Sequence, residues 1–144
     1  FLSIHTNAHF TGMPEGFTSY TFGSGGPDEG RRALADKPTP RLISSPKNSW
    51  ATGQLPHLGG STLLAELIQT NVARSGLAKD LGTSQKPLLL LEGAQMPAVL
   101  VEIGFITNHE EELKLKSGPY LETIAELLFQ SVKDYFEAQR WYAE

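Results

Sequence analysis

The alternation and clustering of hydrophobic residues predicts short strands that alternate with helices. Two strands are predicted early in the chain, at residues 1–4 and 16–22. The second alternates aromatic and small polar side chains, which indicates a less buried strand. Apolar runs predict further strands at residues 87–91 and 98–102. Because the run at 98–101 is continuous and rich in branched side chains, it is typical of a strand buried on both faces.

Three helices are predicted downstream of residue 60. The first spans residues 61–75, with Ser61 as its N-cap and Gly76 suited to the position after its end. A short helix at residues 109–115 follows Asn108 as a predicted cap, and its leading glutamates read as an exposed acidic start. The third spans about 120–141. Its predicted apolar stripe is Leu121, Ile124, Leu127, Leu128, Val132, Tyr135 and Phe136.

Residues 23–60 differ from the rest of the chain because glycine and proline interrupt them repeatedly. Only residues 28–36 favour a short helix, and Trp50, Leu55 and Leu58 are candidate anchors to the body of the protein. Such a long irregular segment within a compact domain is typical of a functional lid or a disordered insertion. Before and after this segment, each predicted strand is followed by a loop or a helix. This order of elements predicts an α/β sandwich.

Composition narrows the class of protein. A chain of 144 residues with 40% hydrophobic and 19% charged residues fits one globular domain. The net charge of −4 gives no general attraction to nucleic acid or to an anionic membrane. The absence of cysteine excludes disulfides, thiolate metal sites and a cysteine nucleophile. No apolar run approaches the roughly 20 residues that span a bilayer. The sequence opens inside an apolar run without Met, so we expect upstream sequence to be missing.

Two polar side chains stand out at predicted strand ends, His5 and Glu102. An imidazole and a carboxylate suit either a zinc site with a general base or a plain acid–base pair. Each also has a structural interpretation: Glu102 as a helix cap or salt-bridge partner, and His5 as a structural histidine. His9, His57 and His109 fit solvated or structural roles, although His9 is close to His5 in sequence. No nucleophile elbow, P-loop, dinucleotide fingerprint or H-E-x-x-H helix occurs.

Two motifs carry a family resemblance: S-I-H-T-N at residues 3–7 and P-A-V-L-V-E-I-G-F-I-T-N at residues 97–108. In this order they resemble the zinc-dependent N-acetylmuramoyl-L-alanine amidases of the type-3 catalytic family. The resemblance implies an α/β fold, a twisted mixed sheet flanked by helices in a three-layer sandwich, with its N-terminal strands missing here. Residues 1–144 would be the C-terminal portion of the catalytic domain, with an insertion at about 23–60.

The resemblance also implies roles for individual residues. His5 matches the last of three protein zinc ligands, which in this family are His, Glu and His. Glu102 matches the catalytic glutamate beside the metal-bound water. Asn7 matches the motif Asn, which we expect to hold its loop and to contact substrate. The other two ligands lie upstream of S-I-H-x-N in the family, so this sequence supplies one ligand and the base. Leu81 stands where relatives often carry Arg before the penultimate strand.

The implied activity is cleavage of the amide between N-acetylmuramic acid and the L-alanine of the stem peptide, with Zn²⁺ as cofactor. Two alternatives stay open: a non-catalytic cell-wall-binding or regulatory remnant, and a related zinc peptidase acting on the stem peptide itself. The expected partners are peptidoglycan and a regulatory protein acting on residues 23–60, with no nucleic acid and no membrane span. The expected location is the periplasm or the extracellular cell wall.

Overall fold

The computed structural model describes residues 1–10, 14–23 and 53–141. These form a four-stranded sheet, in the order β1-β4-β2-β3, and three α-helices. The strands are β1 (Leu2–Asn7), β2 (Phe17–Phe22), β3 (Asp80–Lys86) and β4 (Val99–Phe105). The helices are α1 (Leu58–Ser75), α2 (His109–Leu115) and α3 (Gly118–Trp141). The predicted helix at 28–36 and the Trp50 anchor lie outside the described residues.

The sheet is mixed, which confirms the predicted α/β class. β1 pairs with β4 and β2 with β3 in parallel, whereas β2 and β4 are antiparallel. β4 is central and buried along its length apart from Glu102. β2 is also interior, so the prediction of a less buried strand there is wrong: Phe17 and Ser19 are completely buried.

The main core lies on one face of the sheet, between the strands and helices α1 and α3. Its sheet residues are Phe17, Val99, Val101 and Ile103. Its helix residues are Leu64, Ala65, Ile68, Val72, Ile124, Leu127, Leu128 and Tyr135. Two members of the predicted stripe of α3 are not buried: Leu121 is 40% exposed and Phe136 is 63% exposed. None of the described helices is long and apolar enough to cross a bilayer.

The opposite face of the sheet carries a smaller apolar cluster of Leu91, Ala98 and Leu100. It is covered by the connection between β3 and β4 rather than by a described helix. The predicted strand at 87–91 is wrong: residues 89–93 form turns, with Leu91 buried and Leu89 70% exposed. The penultimate strand is β3 instead, and Leu81 lies within it.

Helix α1 begins three residues earlier than predicted, and Ser61 is not its N-cap. The buried Ser61 hydroxyl donates to the carbonyl oxygen of His57 and accepts from the backbone N–H of Ala98, each at 2.9 Å. The same hydroxyl bonds to the side chain of Gln54. Ser61 therefore ties the first turn of α1 to the entry of β4. At the other end, Gly76 adopts the left-handed conformation with φ 63°, as predicted.

Candidate active site

The pairing of β1 with β4 places His5 beside Glu102. The two residues are register partners in the parallel ladder, and Thr18 of β2 is the partner of Glu102 on its other side. Since side chains alternate along a strand, these three lie on one face of the sheet. That face is opposite the helices, because the adjacent Val101 and Ile103 belong to the main core. The structure thus brings together the two side chains that the sequence singled out.

The carboxylate of Glu102 is only partly satisfied. Its Oε2 atom is buried and has no hydrogen-bond partner among the described residues. Burial raises the pKa of Glu102 above its ordinary value, and the nearby His5 and Lys86 offset part of this rise. A buried carboxylate oxygen without a donor is costly, since charged groups in proteins are normally paired or hydrogen-bonded. The attraction of His5 and Lys86 leaves the salt-bridge interpretation open, whereas no helix-capping bond of Glu102 occurs among the described residues.

The imidazole of His5 lies at the exposed side of this pair. Its Nε2 atom is 2.8 Å from the hydroxyl of Ser3, which precedes it on the same face of β1. This contact helps to orient the ring, and the tautomer decides which partner donates. His9 lies farther along, where its backbone N–H donates to the hydroxyl of Thr107 at 3.0 Å.

A positive charge and an aromatic ring border the same face. The Lys86 ammonium lies 4.0 Å from the ring centroid of Tyr20, a cation–π contact between β3 and β2. Tyr20 pairs with Leu100, two residues before Glu102. The neighbourhood of Glu102 is therefore apolar on one side and cationic beyond it.

Asn7 ends β1 close to this pair. Its side-chain Oδ1 accepts from the backbone N–H of Ala8 at 2.8 Å, and its carbonyl oxygen accepts from Ile106 at 2.8 Å. The ladder is irregular between His5 and Asn7. These bonds hold the start of the β1–β2 connection; contact of Asn7 with substrate stays a prediction.

The described residues fit part of a metal site. His5 offers one imidazole beside a carboxylate that has a free buried oxygen. Within residues 1–10, 14–23 and 53–141, however, no three His, Cys, Asp or Glu side chains come together. Since protein zinc sites usually have three or four protein ligands, these residues do not complete one.

Glu111 is a buried carboxylate that the sequence pattern did not single out. It was predicted to lie in an exposed helix start, but only 4% of it is exposed. Its Oε1 accepts from the backbone N–H of Gly16 at 3.0 Å and its Oε2 from that of Phe105 at 2.7 Å. Asn108 caps α2 as predicted, accepting from Glu110 and Glu111. Glu111 is the third residue of the helix, where a glutamate side chain often accepts a backbone N–H that precedes the helix. That spacing from the cap Asn108 is the feature of the sequence that could have predicted its role.

The remaining histidines lie away from the pair. His57 precedes α1 without a side-chain capping bond. His109 is exposed at the first turn of α2, with its Nδ1 3.7 Å from a carboxylate oxygen of Glu112. Neither joins a cluster of metal-binding side chains in the described part of the chain.

Comparison with known proteins identifies the family. The sequence model of the N-acetylmuramoyl-L-alanine amidase family matches residues 1–134. An uncharacterised cell wall amidase of Bacillus anthracis is 33% identical over 82 residues, covering 57% of this chain and 15% of that protein.

Solved structures of amidases share the fold. An N-acetylmuramoyl-L-alanine amidase from Clostridium difficile 630 superimposes with a TM-score of 0.66 at 24% identity, covering 94% of this chain and 56% of that one. The CwlD amidase from Clostridioides difficile, solved in complex with the GerS lipoprotein, gives 0.65 at 21% identity, covering 96% and 54%. This chain thus spans little more than half the length of these structures and a smaller part of the curated relative. It belongs to the N-acetylmuramoyl-L-alanine amidase family.

Proposed function

We propose that the full-length protein hydrolyses the amide bond between the lactyl group of N-acetylmuramic acid and the L-alanine of the stem peptide. The observation that carries this proposal is the buried, unpartnered Oε2 of Glu102 beside His5, in a chain of this family. A carboxylate in that state keeps an acceptor that no described group uses.

In this proposal Glu102 is the general base and then the general acid. Burial raises its pKa, so the carboxylate accepts a proton from an attacking water more readily than an exposed glutamate does. The same carboxyl group then returns a proton to the departing alanine nitrogen. His5 and Lys86 oppose this rise in pKa by electrostatic attraction, which favours the ionised carboxylate that a general base needs.

We further propose that Zn²⁺ is the cofactor and that His5 is one of its ligands. Zinc, when bound, polarises the amide carbonyl and lowers the pKa of a bound water toward 7. The remaining ligands would come from outside the described residues, because no three His, Cys, Asp or Glu side chains come together among them. Ser3 would orient the ring of His5 for ligation through its bond to Nε2.

The proposal is tested with the full-length protein and purified peptidoglycan. Glu102→Gln keeps the shape of the side chain but cannot accept the proton, so release of stem peptides should fall by roughly 10²–10⁴-fold. Glu122→Gln, a matched change at an exposed position of α3, should leave the rate unchanged. Wild-type activity in Glu102→Gln would refute the assignment, and mass analysis of the products separates cleavage at alanine from cleavage within the peptide.

A non-catalytic cell-wall-binding or regulatory role is the second candidate. The incomplete set of metal-binding side chains in the described part of the chain favours it. The zinc content of the purified full-length protein decides between the two: about one zinc per chain, lost in His5→Ala, supports the enzyme. Binding of peptidoglycan by a zinc-free, inactive protein supports the second candidate.

We place the full-length protein outside the cytoplasmic membrane, where its proposed substrate lies. We further propose that the full-length protein has a regulatory protein partner. The complex of the CwlD amidase with a lipoprotein supports this proposal. Purification of the tagged full-length protein from envelope extracts, with and without crosslinking, tests for such a partner.

A further inference from the structure

The connection between β4 and α2, residues 106–108, is bonded to both ends of the β1–β2 connection. At the near end, Ile106 donates to the carbonyl oxygen of Asn7, and Thr107 accepts from the backbone of His9. At the far end, the side-chain amide of Asn108 donates to the carbonyl oxygen of Pro14 at 3.3 Å. The β1–β2 connection is thus held where it leaves the strand of His5.

Glu111 completes this arrangement where β2 and β4 stop pairing. Their antiparallel register runs from Tyr20–Leu100 to Thr18–Glu102. Beyond that last pair, the Glu111 carboxylate accepts the backbone N–H of Gly16, the residue just before β2, at 3.0 Å and that of Phe105, the last residue of β4, at 2.7 Å. One side chain therefore replaces the direct bonds between the two strands.

Two glycines with positive φ lie next to the Glu111 carboxylate. Gly104 has φ 149°, and a Cβ there would lie 3.4 Å from the Oε2 of Glu111. Gly16 has φ 124°, and a Cβ there would lie 2.5 Å from the carbonyl oxygen of Lys79. Both conformations are rare for residues other than glycine. Bonds from N–H groups to a buried carboxylate are about twice as strong as neutral ones, which suits a rigid joint.

We propose that Glu111 is a positioning residue for Glu102. By joining the start of β2 to the end of β4, two residues before Thr18 and three residues after Glu102, it sets where the Glu102 carboxylate stands relative to His5. This inference rests on the proposed function, in which Glu102 moves the proton. A misplacement of the order of 1 Å in a catalytic group can cost about 10²-fold in rate, so a loosened joint should lower turnover.

The test uses the full-length protein and three variants. Glu111→Gln retains the shape of the side chain, but its amide nitrogen repels one of the two N–H donors. Glu111→Asp retains the charge on a shorter stem. Asn71→Ala is the control, because Asn71 bonds to Ser131 and Asp134 between α1 and α3 and its loss weakens the fold away from the site.

Two readouts separate positioning from stability. At a temperature where circular dichroism shows every variant folded, Glu111→Gln should lower kcat about tenfold or more with KM within twofold, and Glu111→Asp should recover part of the loss. Asn71→Ala should lower the Tm and leave kcat within twofold. By hydrogen exchange, the amides of Gly16 and Phe105 should lose protection in Glu111→Gln while those of α1 keep it.

Several results would overturn the proposal. A Glu111→Gln protein with exposed Gly16 and Phe105 amides but unchanged kcat would make Glu111 purely structural. Failure of both Glu111→Gln and Glu111→Asp to fold would do the same. An inactive wild-type protein would instead refute the proposed function, and the exchange of the two amides would still report whether the carboxylate joins the strands.

Discussion

Glu102, in the middle of β4, and Glu111, bonded to the end of β4, are two carboxylates with opposite surroundings. Glu111 is almost wholly buried and both of its oxygens accept backbone N–H groups. Glu102 is half-buried, with one buried oxygen that no described group reaches. A carboxylate that accepts hydrogen bonds on both oxygens stabilises the fold. A carboxylate with an oxygen that accepts none is a candidate for chemistry. The hydrogen bonds that each carboxylate accepts, rather than burial alone, distinguish Glu111 from Glu102, the residue that we propose moves the proton.

The largest expected effect is on stability, from removing the satisfied carboxylate. Glu111→Ala leaves two buried N–H groups without an acceptor, and each costs about 1–3 kcal/mol. We expect the free energy of unfolding, measured with urea, to fall by about 3 kcal/mol. Glu102→Gln should not lower it. Equal losses in the two variants would remove the distinction between these glutamates.

The glycine beside Glu111 gives the next effect. Gly104→Ala forces a side chain into a backbone conformation at φ 149°, at a cost of about 1–3 kcal/mol. Gly59→Ala is the matched control, because it lies in α1 with no atom within 4 Å of the added Cβ. It should stabilise the protein by about 0.5–1 kcal/mol. Thermal unfolding of the two variants checks this, and a harmless Gly104→Ala would mean that the joint tolerates a side chain.

A smaller effect concerns the pH dependence of stability in metal-free protein. Because burial raises the pKa of Glu102 above 4.5, the folded state binds its proton more tightly than the unfolded state. The contribution of Glu102 to stability is therefore complete below pH 4.5 and is lost as the pH rises through its folded pKa. Glu102→Gln should gain stability relative to wild type from acid to neutral pH, and Glu122→Gln should not. A constant difference across this range would contradict the raised pKa.

The smallest effect comes from the cation near Glu102. Lys86 lowers the pKa of that carboxyl by electrostatic attraction, so Lys86→Gln should raise it further. Carboxyl carbon chemical shifts followed through a pH titration of metal-free protein measure this directly. Lys133→Gln serves as the control, since Lys133 faces Glu137 on α3. An unchanged titration of Glu102 in Lys86→Gln would show that the charge is screened by solvent.

Hydrophobic pattern predicted the buried elements and failed at the edge of the sheet. β4 and the apolar face of α1 were predictable because burial on specific faces requires apolar residues there. β3, with the sequence DLGTSQK, lies at the sheet edge and is mostly exposed, so nothing apolar marks it. The apolar run at 87–91 does not form a strand: Leu88 and Leu91 pack against the sheet, whereas Leu89 and Leu90 are exposed in a turn.

The candidate site was predictable only in part, and for a geometric reason. The sequence pattern singled out His5 and Glu102 as separate polar groups near strand ends. That they lie side by side depends on the pairing of β1 with β4, two segments that are distant in sequence. Among three consecutive glutamates, composition could not single out Glu111. Successive helix positions point about 100° apart, so only one of the three faces the body of the protein.

The pairing of β1 with β4 also has a consequence for how the chain folds. β1 finds its described partner only after roughly 100 residues of intervening sequence, which makes this ladder a contact of high sequence separation and a late event in folding. During synthesis at about 5–20 residues per second, β1 waits on the order of 5–20 s for β4 to emerge. Among the described pairings, the His5–Glu102 contact is therefore expected to be one of the last to form.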